Sequence, residues 1–291
     1  MMLKLPMKHH YKKKKLMRST AGNITFTLIV FMTGAFMVLP LVYAVVNAFK
    51  PINELFLFPP RFFVKHPTLE NFSIVSELLS NLWVPLSRYL FNSVFISTIG
   101  TLLCVVVSSL CAFPLAKHRF KGRVFILQVV IWAILFRPEV TGIAQYVVIA
   151  KMGIMDSYLA ILLPALSGSF GVFLLKQFME TTPDSILESA RLDGAHEFKV
   201  YWSIVMPIMK PAWITLMIFT FTGLWNTTGV NYIYTESKRM LPAALSQISA
   251  GGIARAGAGS VVAFLLMIPP ILLFVFTQSK IIETMAHSGI K

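Results

Sequence analysis

Five stretches of this chain run without a charged side chain over lengths typical of a bilayer crossing. Arg18 and Lys50 enclose 31 uncharged residues, Arg88 and Lys117 enclose 28, and Asp156 and Lys176 enclose 19. Lys210 and Glu236 enclose 25, and Arg255 and Lys280 enclose 24. A helix needs about 20 apolar residues to cross bilayer hydrocarbon, so each run is read as a span. A sixth apolar stretch, Val124 to Ala150, is interrupted by Arg137-Pro138-Glu139 and is counted as a span with an irregular outer end. Charged residues make up only 13% of the chain, about half the share of a soluble domain. Too few remain to coat a surface in water, which excludes a soluble enzyme. The expected fold is all-α integral membrane, with six transmembrane helices.

Basic residues orient the spans. With the N-terminus inside, 17 of the 26 Lys and Arg fall on the cytoplasmic side, concentrated in the tail before Arg18 and in two inner loops. The net charge of +14 is thereby assigned to topology and anionic lipid, and a nucleic-acid partner is not expected. The chain divides into a basic cytoplasmic tail (1–21), a six-helix transmembrane domain (22–281) and a short cytoplasmic C-terminus (282–291). The first run is about twice the length of a signal-peptide core and is read as a retained anchor. The first outer loop, Lys50 to Arg88, is rich in Pro and aromatic residues and is expected to form an ordered platform. Cys104 and Cys111 stand ~10 Å apart along one helix, too far for a disulfide. All six histidines lie outside the apolar runs, so no metal site is expected.

The inner loop between the fourth and fifth spans is the most informative segment. Thr182 is placed to cap a helix, Pro183 suits its first position, and Asp184 favours the positive end of its dipole. Gly194 is placed to end that helix in a left-handed conformation, and a second amphipathic stretch leads to Pro207. Ile186, Leu187, Ala190 and Leu192 beside Glu188, Arg191 and Asp193 make a mixed face that suits a groove on a cytoplasmic partner.

These residues carry a resemblance. Glu188-Ser189-Ala190, three residues, Gly194, nine residues, then Ile204-Val205-Met206-Pro207 is similar to the EAA loop of ABC-importer permeases, with Ser189 and Met206 as mild departures. The longer string Ala190-Arg191-Leu192-Asp193-Gly194-Ala195 resembles the carbohydrate-uptake, maltose-permease-like branch, as does Trp225-Asn226, although Thr227 and Thr228 depart from that branch. The Pro-rich first outer loop and Ser288-Gly289-Ile290-Lys291 resemble permeases for oligosaccharides or polysaccharides. The resemblance implies a type I ABC-importer permease in the bacterial plasma membrane, with a coupling helix in loop 181–208. It further implies a second permease subunit, two cytoplasmic ATPase subunits that hold the ATP and Mg, and an extracytoplasmic solute-binding protein. The chain lacks a phosphate-binding Gly-x-x-x-x-Gly-Lys loop, so no cofactor and no catalytic residue are expected in it. Glu188, Ala190, Arg191, Asp193, Gly194 and Ala195 are the implied ATPase-coupling residues.

The substrate path is sought among polar and aromatic residues within the spans: Asn92, Ser93, Arg137, Glu139, Gln145, Trp225, Asn226 and Asn231. Arg137 and Glu139 stand ~200° apart around a helix and do not pair with each other; they either line a cavity or pair with a neighbouring helix. Trp225 and Asn226 suit both sugar contact and helix packing. Gly34, Gly168 and Gly171 are read as close helix contacts. An ion-coupled secondary transporter would need acidic coupling residues in its spans, and Glu139 is the lone acid there. A permease for a non-sugar solute is the alternative within the ABC class.

Overall fold

A computed structural model describes residues 20–80, 84–136, 138–252 and 255–288. Most of the basic tail, Arg137 and the last three residues lie outside them. Every regular element described is helical. Four helices are individually long and apolar enough to cross a membrane, and two bent pairs raise the number to six.

The first span is α1 (Thr20–Ala48), followed by two short helices of the next loop, α2 (Ile52–Leu55) and α3 (Glu70–Ser80). The second span is α4 (Leu86–Lys117). The third is broken into α5 (Arg123–Leu135) and α6 (Pro138–Lys151), bent by 110°; Pro138 opens α6, where its missing N–H costs nothing. The fourth consists of α7 (Leu159–Leu166) and α8 (Ser169–Glu180), which continue as one span, Leu159–Glu180. Helix α9 (Asp184–Leu192) occupies the inner loop. Next come α10 (Glu197–Val200), a π-helical turn (Tyr201–Val205) and α11 (Met206–Ile208), which together meet α12 (Lys210–Trp225) at a 79° bend. Finally α13 (Leu241–Ser249) precedes the last span, α14 (Ala256–Ser288).

Helix α4 is the central post, packed by α7, α8, α12 and α13. Small and hydroxyl side chains line its buried face: Ser93, Ser97, Gly100, Thr101, Cys104, Ser108, Ser109 and Ala112. Such residues let helix backbones approach closely in lipid, where no hydrophobic force drives them together. Gly171 of α8 illustrates it: a Cβ there would lie 2.6 Å from Ser108 Oγ and 3.0 Å from Leu216 Cδ2. Gly168 likewise faces Cys104 Sγ at 3.3 Å. Gly34, also expected at a helix contact, has open space around it, and the residues of α1 from Gly22 to Leu41 are all exposed.

Two features depart from the run-length reading. The fifth charge-free run does not continue as helix to Glu236; α12 stops at Trp225 after 16 residues, or ~24 Å, short of the ~30 Å hydrocarbon layer. The rest of that run is non-helical, turning at Gly229 with φ +65° where Ile161 leaves no room for a side chain. The nine residues of α13 then bury Leu241, Ala243, Ala244, Leu245 and Ile248 against α4 and α14. The first outer loop is ordered, as expected. Asn71 Nδ2 donates to the Ala48 and Lys50 carbonyls at 3.1 and 2.7 Å, and Lys50 Nζ donates to Arg61 O at 2.6 Å. Val75 and Leu79 of α3 join a core with Val261 and Val262 of α14.

Candidate functional site

The loop helix α9 is held against the base of the bundle from three directions. Leu187 is 1% exposed and joins Phe113 and Ala116 of α4, Leu175 and Met179 of α8, and Val200 and Tyr201. At its N-terminus, Lys117 Nζ donates to Thr182 O at 2.6 Å and to Asp184 Oδ1 at 2.8 Å. That cation, not a side-chain cap, secures the helix start. Thr182, expected to cap, has its hydroxyl buried without a partner, and Pro183 stands one residue outside the helix. Hydrogen bonding to Lys117 holds the Asp184 carboxyl below its ordinary range. At the C-terminus Gly194 adopts φ +83°. Its N–H donates to Arg191 O at 3.0 Å, and the Ala195 N–H donates to Ala190 O at 3.0 Å. These two bonds are a Schellman motif, and both alanines pack against the same core.

The six expected coupling residues therefore divide. Ala190 and Ala195 face inward and Gly194 makes the turn. Arg191 folds back onto Glu197, with Nε–Oε1 at 2.8 Å and Nη2–Oε2 at 3.3 Å, which raises its pKa. Glu188 and Asp193 are exposed. Around them lies an apolar surface the protein itself leaves uncovered: Leu192 is 88% exposed, and Phe198 and Trp202, stacked at 6.4 Å, are 62% and 55% exposed. Beyond α10, the hydroxyl of buried Tyr201 meets Ser109 Oγ at 2.7 Å, tying the π-helical turn to α4. Trp213 Nε1 donates to Met206 O at 3.1 Å across the bend.

Gly194→Ala tests the turn by itself. Its Cβ would meet nothing within 4 Å, so the cost is the left-handed backbone, about 1–2 kcal/mol. The expected result is a lowered unfolding midpoint in detergent with membrane insertion retained; an unchanged midpoint would refute the assignment.

At the other end of α4 the substrate-path candidates fall into different roles. Trp225 is 1% exposed, stacked on Phe221 at 6.0 Å, with Nε1 donating to Leu266 O at 3.0 Å. Its indole stacks on one ring and its donor is bonded to α14, which favours the helix-packing side of the two readings. Asn226 caps α12, its Nδ2 donating to Thr222 O at 2.9 Å. Asn92 Nδ2 donates to the Ser237 and Arg239 carbonyls at 2.9 and 2.8 Å, its Oδ1 accepts from Tyr158 at 2.7 Å, and Ser93 Oγ accepts the Leu241 N–H at 2.7 Å. Asn92 and Ser93 thus fasten the 226–240 segment. Gln145 is half-buried on α6 and Asn231 is exposed. Arg137 and the side chain of Glu139 lie outside the described residues.

Asp156 is the residue the sequence reading missed. Its carboxylate accepts the Tyr234 and Thr235 N–H groups at 3.0 and 2.9 Å, the Thr235 hydroxyl at 2.6 Å and Lys238 Nζ at 3.0 Å. Those bonds, led by the Thr235 hydroxyl, hold its pKa far below the usual carboxylate range. A carboxylate with a lowered pKa contributes stability above its ordinary pKa and loses it only as pH falls through the lowered value. Amide exchange at Tyr234 and Thr235, corrected for intrinsic rates, is accordingly expected to keep the same protection from pH 8 to pH 5. Loss of protection at pH 5 would contradict it. Only its charge marked Asp156 in the sequence; its partners stand 78 to 82 residues away.

The family of binding-protein-dependent transport system inner membrane components matches residues 25–285. Protein LplC of Bacillus subtilis (strain 168) is 32% identical over 223 residues, 74% of this chain and 72% of that protein. The arabinooligosaccharides transport system permease protein AraQ of the same organism is 28% identical over 274 residues, 92% of this chain and 96% of AraQ. A chain from the crystal structure of a bacterial ABC transporter involved in the import of the acidic polysaccharide alginate superposes with a TM-score of 0.71. It has 18% identity and covers 91% of this chain and 99% of its own, a likeness of fold. With its apolar helices and a family match over nearly its whole length, this multi-pass chain belongs to the binding-protein-dependent transport system inner membrane components.

Proposed function

We infer that this chain is one permease subunit of an ATP-driven importer for carbohydrate, of oligosaccharide size, forming half of the pathway. The observation that carries the reading is α9: a helix of EAA spacing, fixed to α4 and α8 by Leu187 and Lys117, that presents Glu188, Leu192, Phe198 and Trp202 outward. Such a surface is built to be covered. Its occupant in this reading is a cleft on a cytoplasmic ATPase, two of which serve this chain and a second, different permease; ATP and Mg belong to those subunits. A solute-binding protein delivers the sugar on the opposite face, and both termini are cytoplasmic. Likeness to AraQ, an arabinooligosaccharides permease, favours an oligosaccharide. Likeness to the sn-glycerol-3-phosphate permease protein UgpE of Yersinia enterocolitica, 28% identical over 273 residues, makes a phosphate ester the competing solute. Closure of the ATPase pair would displace α9. The displacement passes to α4 through Leu187, Lys117 and the Tyr201–Ser109 bond, and to α12 across the Met209 bend, so the permease pair rocks between inward- and outward-open forms.

The test is uptake by the full complex in proteoliposomes, with and without internal ATP, using arabinotriose, trigalacturonate and, as non-sugar solutes, glutamate and phosphate. ATP-dependent accumulation of an oligosaccharide is the expected result. Accumulation of a non-sugar solute alone would overturn the carbohydrate reading.

A further inference from the structure

On the side of the molecule away from α9, α6 and the 230–234 turn enclose an open cleft of about 490 Å³ lined by Gly142, Ile143, Tyr146, Asn231, Tyr232 and Tyr234. That volume lies within the range of small-molecule sites, about 300–1,000 Å³. We propose that this cleft is a sugar-binding subsite, which takes one ring of the transported oligosaccharide on the Tyr146 and Tyr232 faces and its hydroxyls on the phenol and amide rim. The proposal rests on the carbohydrate reading above and adds where in this chain the sugar is held.

Three observations carry it. The first is chemical fit. Tyr146 and Tyr232 stack with centroids 6.4 Å apart and planes 28° apart, a shelf rather than a sandwich. The Tyr146 and Tyr234 hydroxyls lie 3.3 Å apart, and the Asn231 side chain is exposed beside them. A sugar ring has apolar C–H faces and a hydroxyl edge, so it matches an aromatic surface with a phenolic rim.

The second is that the shelf is held in place before any ligand arrives. Asp156 sits at φ +55°, a left-handed conformation that Asp tolerates better than most residues with a side chain. Its N–H donates to Tyr232 O at 2.8 Å while its carboxylate takes the Tyr234 and Thr235 amides. One residue thus positions the backbone under two of the three tyrosines, and ordering costs on binding fall accordingly. The third is connection. The same segment is fastened to α4 through Asn92 and Tyr89, and α4 also holds Tyr201 of the α9 side. Movement of the coupling surface therefore reaches the shelf through one rigid helix.

The experiment uses the reconstituted complex and arabinotriose as probe. Y146A and Y234A remove exposed rings; they are expected to raise the transport KM roughly 2- to 10-fold, the range an aromatic contact supplies, with kcat changed less. Y146F, which keeps the stacking ring, should recover most of that loss, whereas Y234F, which removes a rim hydroxyl, should retain part of it. Unchanged KM in both alanine variants overturns the subsite. A diazirine-bearing arabinotriose cross-linked to the wild-type complex reads contact without substitution: adducts at Tyr146 or 231–234 support the subsite, and adducts confined elsewhere overturn it. Failure of the reading underneath looks different, since the wild-type complex would then accumulate no oligosaccharide at all.

Discussion

Glu188→Lys is expected to reduce uptake to background while leaving the permease folded and inserted. Glu188 is exposed on the outer face of α9, one residue from Leu187, which anchors the helix. Among the described residues Glu188 makes no hydrogen bond or ion pair, only an exposed electrostatic contact with Arg191, so the unfolding midpoint in detergent should change little. What changes is the surface offered to the ATPase. Losing one partner of a desolvated, hydrogen-bonded charge pair at an interface costs about 2–5 kcal/mol, roughly 30- to several-thousand-fold in affinity. Co-purification of the ATPase and ATP-dependent uptake are the two readouts, and normal values for both would remove Glu188 from the coupling surface. A control sits one position earlier. Leu187→Ala should lower the midpoint, because truncating a buried Leu costs about 2–5 kcal/mol.

Trp225→Ala is expected to destabilise the permease by about 3–5 kcal/mol, the usual cost of emptying a buried Trp site. The indole fills space between Phe221, Leu245 and Leu265, and its N–H is bonded to Leu266 O. Trp225→Phe separates structure from transport. It keeps a ring on Phe221 but leaves the Leu266 carbonyl without its indole donor, for an expected loss of about 1–3 kcal/mol. Because the indole is 1% exposed and its N–H is bonded within the chain, the KM for sugar in Trp225→Phe should match that of the parent complex. A tenfold rise in KM at unchanged stability would return Trp225 to the substrate path.

The contrast between these two residues measures how far the sequence could be read. The turn at Gly194 and the exposed position of Glu188 were legible because the chemistry of a surface helix is local: an acid six residues before a bend, a glycine at the position requiring positive φ, and alanines spaced for close approach. Trp225 was not. A tryptophan in an apolar run reads the same whether it faces a sugar or another helix, and only the position of α14 decides. Asn92 shows the same limit: its amide looks like a pathway group until the Ser237 and Arg239 carbonyls, 145 and 147 residues away, are seen to occupy it. Thr182 failed differently. Its hydroxyl suited a cap, but α9 starts at Asp184 with Pro183 in the cap position, so the Thr182 hydroxyl stands one residue outside the place from which it could accept a helix N–H.

Run length and charge by themselves determined that this chain is an all-helical membrane protein with a surface helix in its longest inner loop, because bilayer thickness and backbone hydrogen bonding leave an apolar run of that length few alternatives. The tertiary structure alone decided where the fifth run stops being helix, that α13 is buried, and that Asp156 fixes the backbone of two of the three tyrosines around one cleft. Those outcomes depend on contacts between segments some 80 to 150 residues apart. Local periodicity carries no record of such contacts.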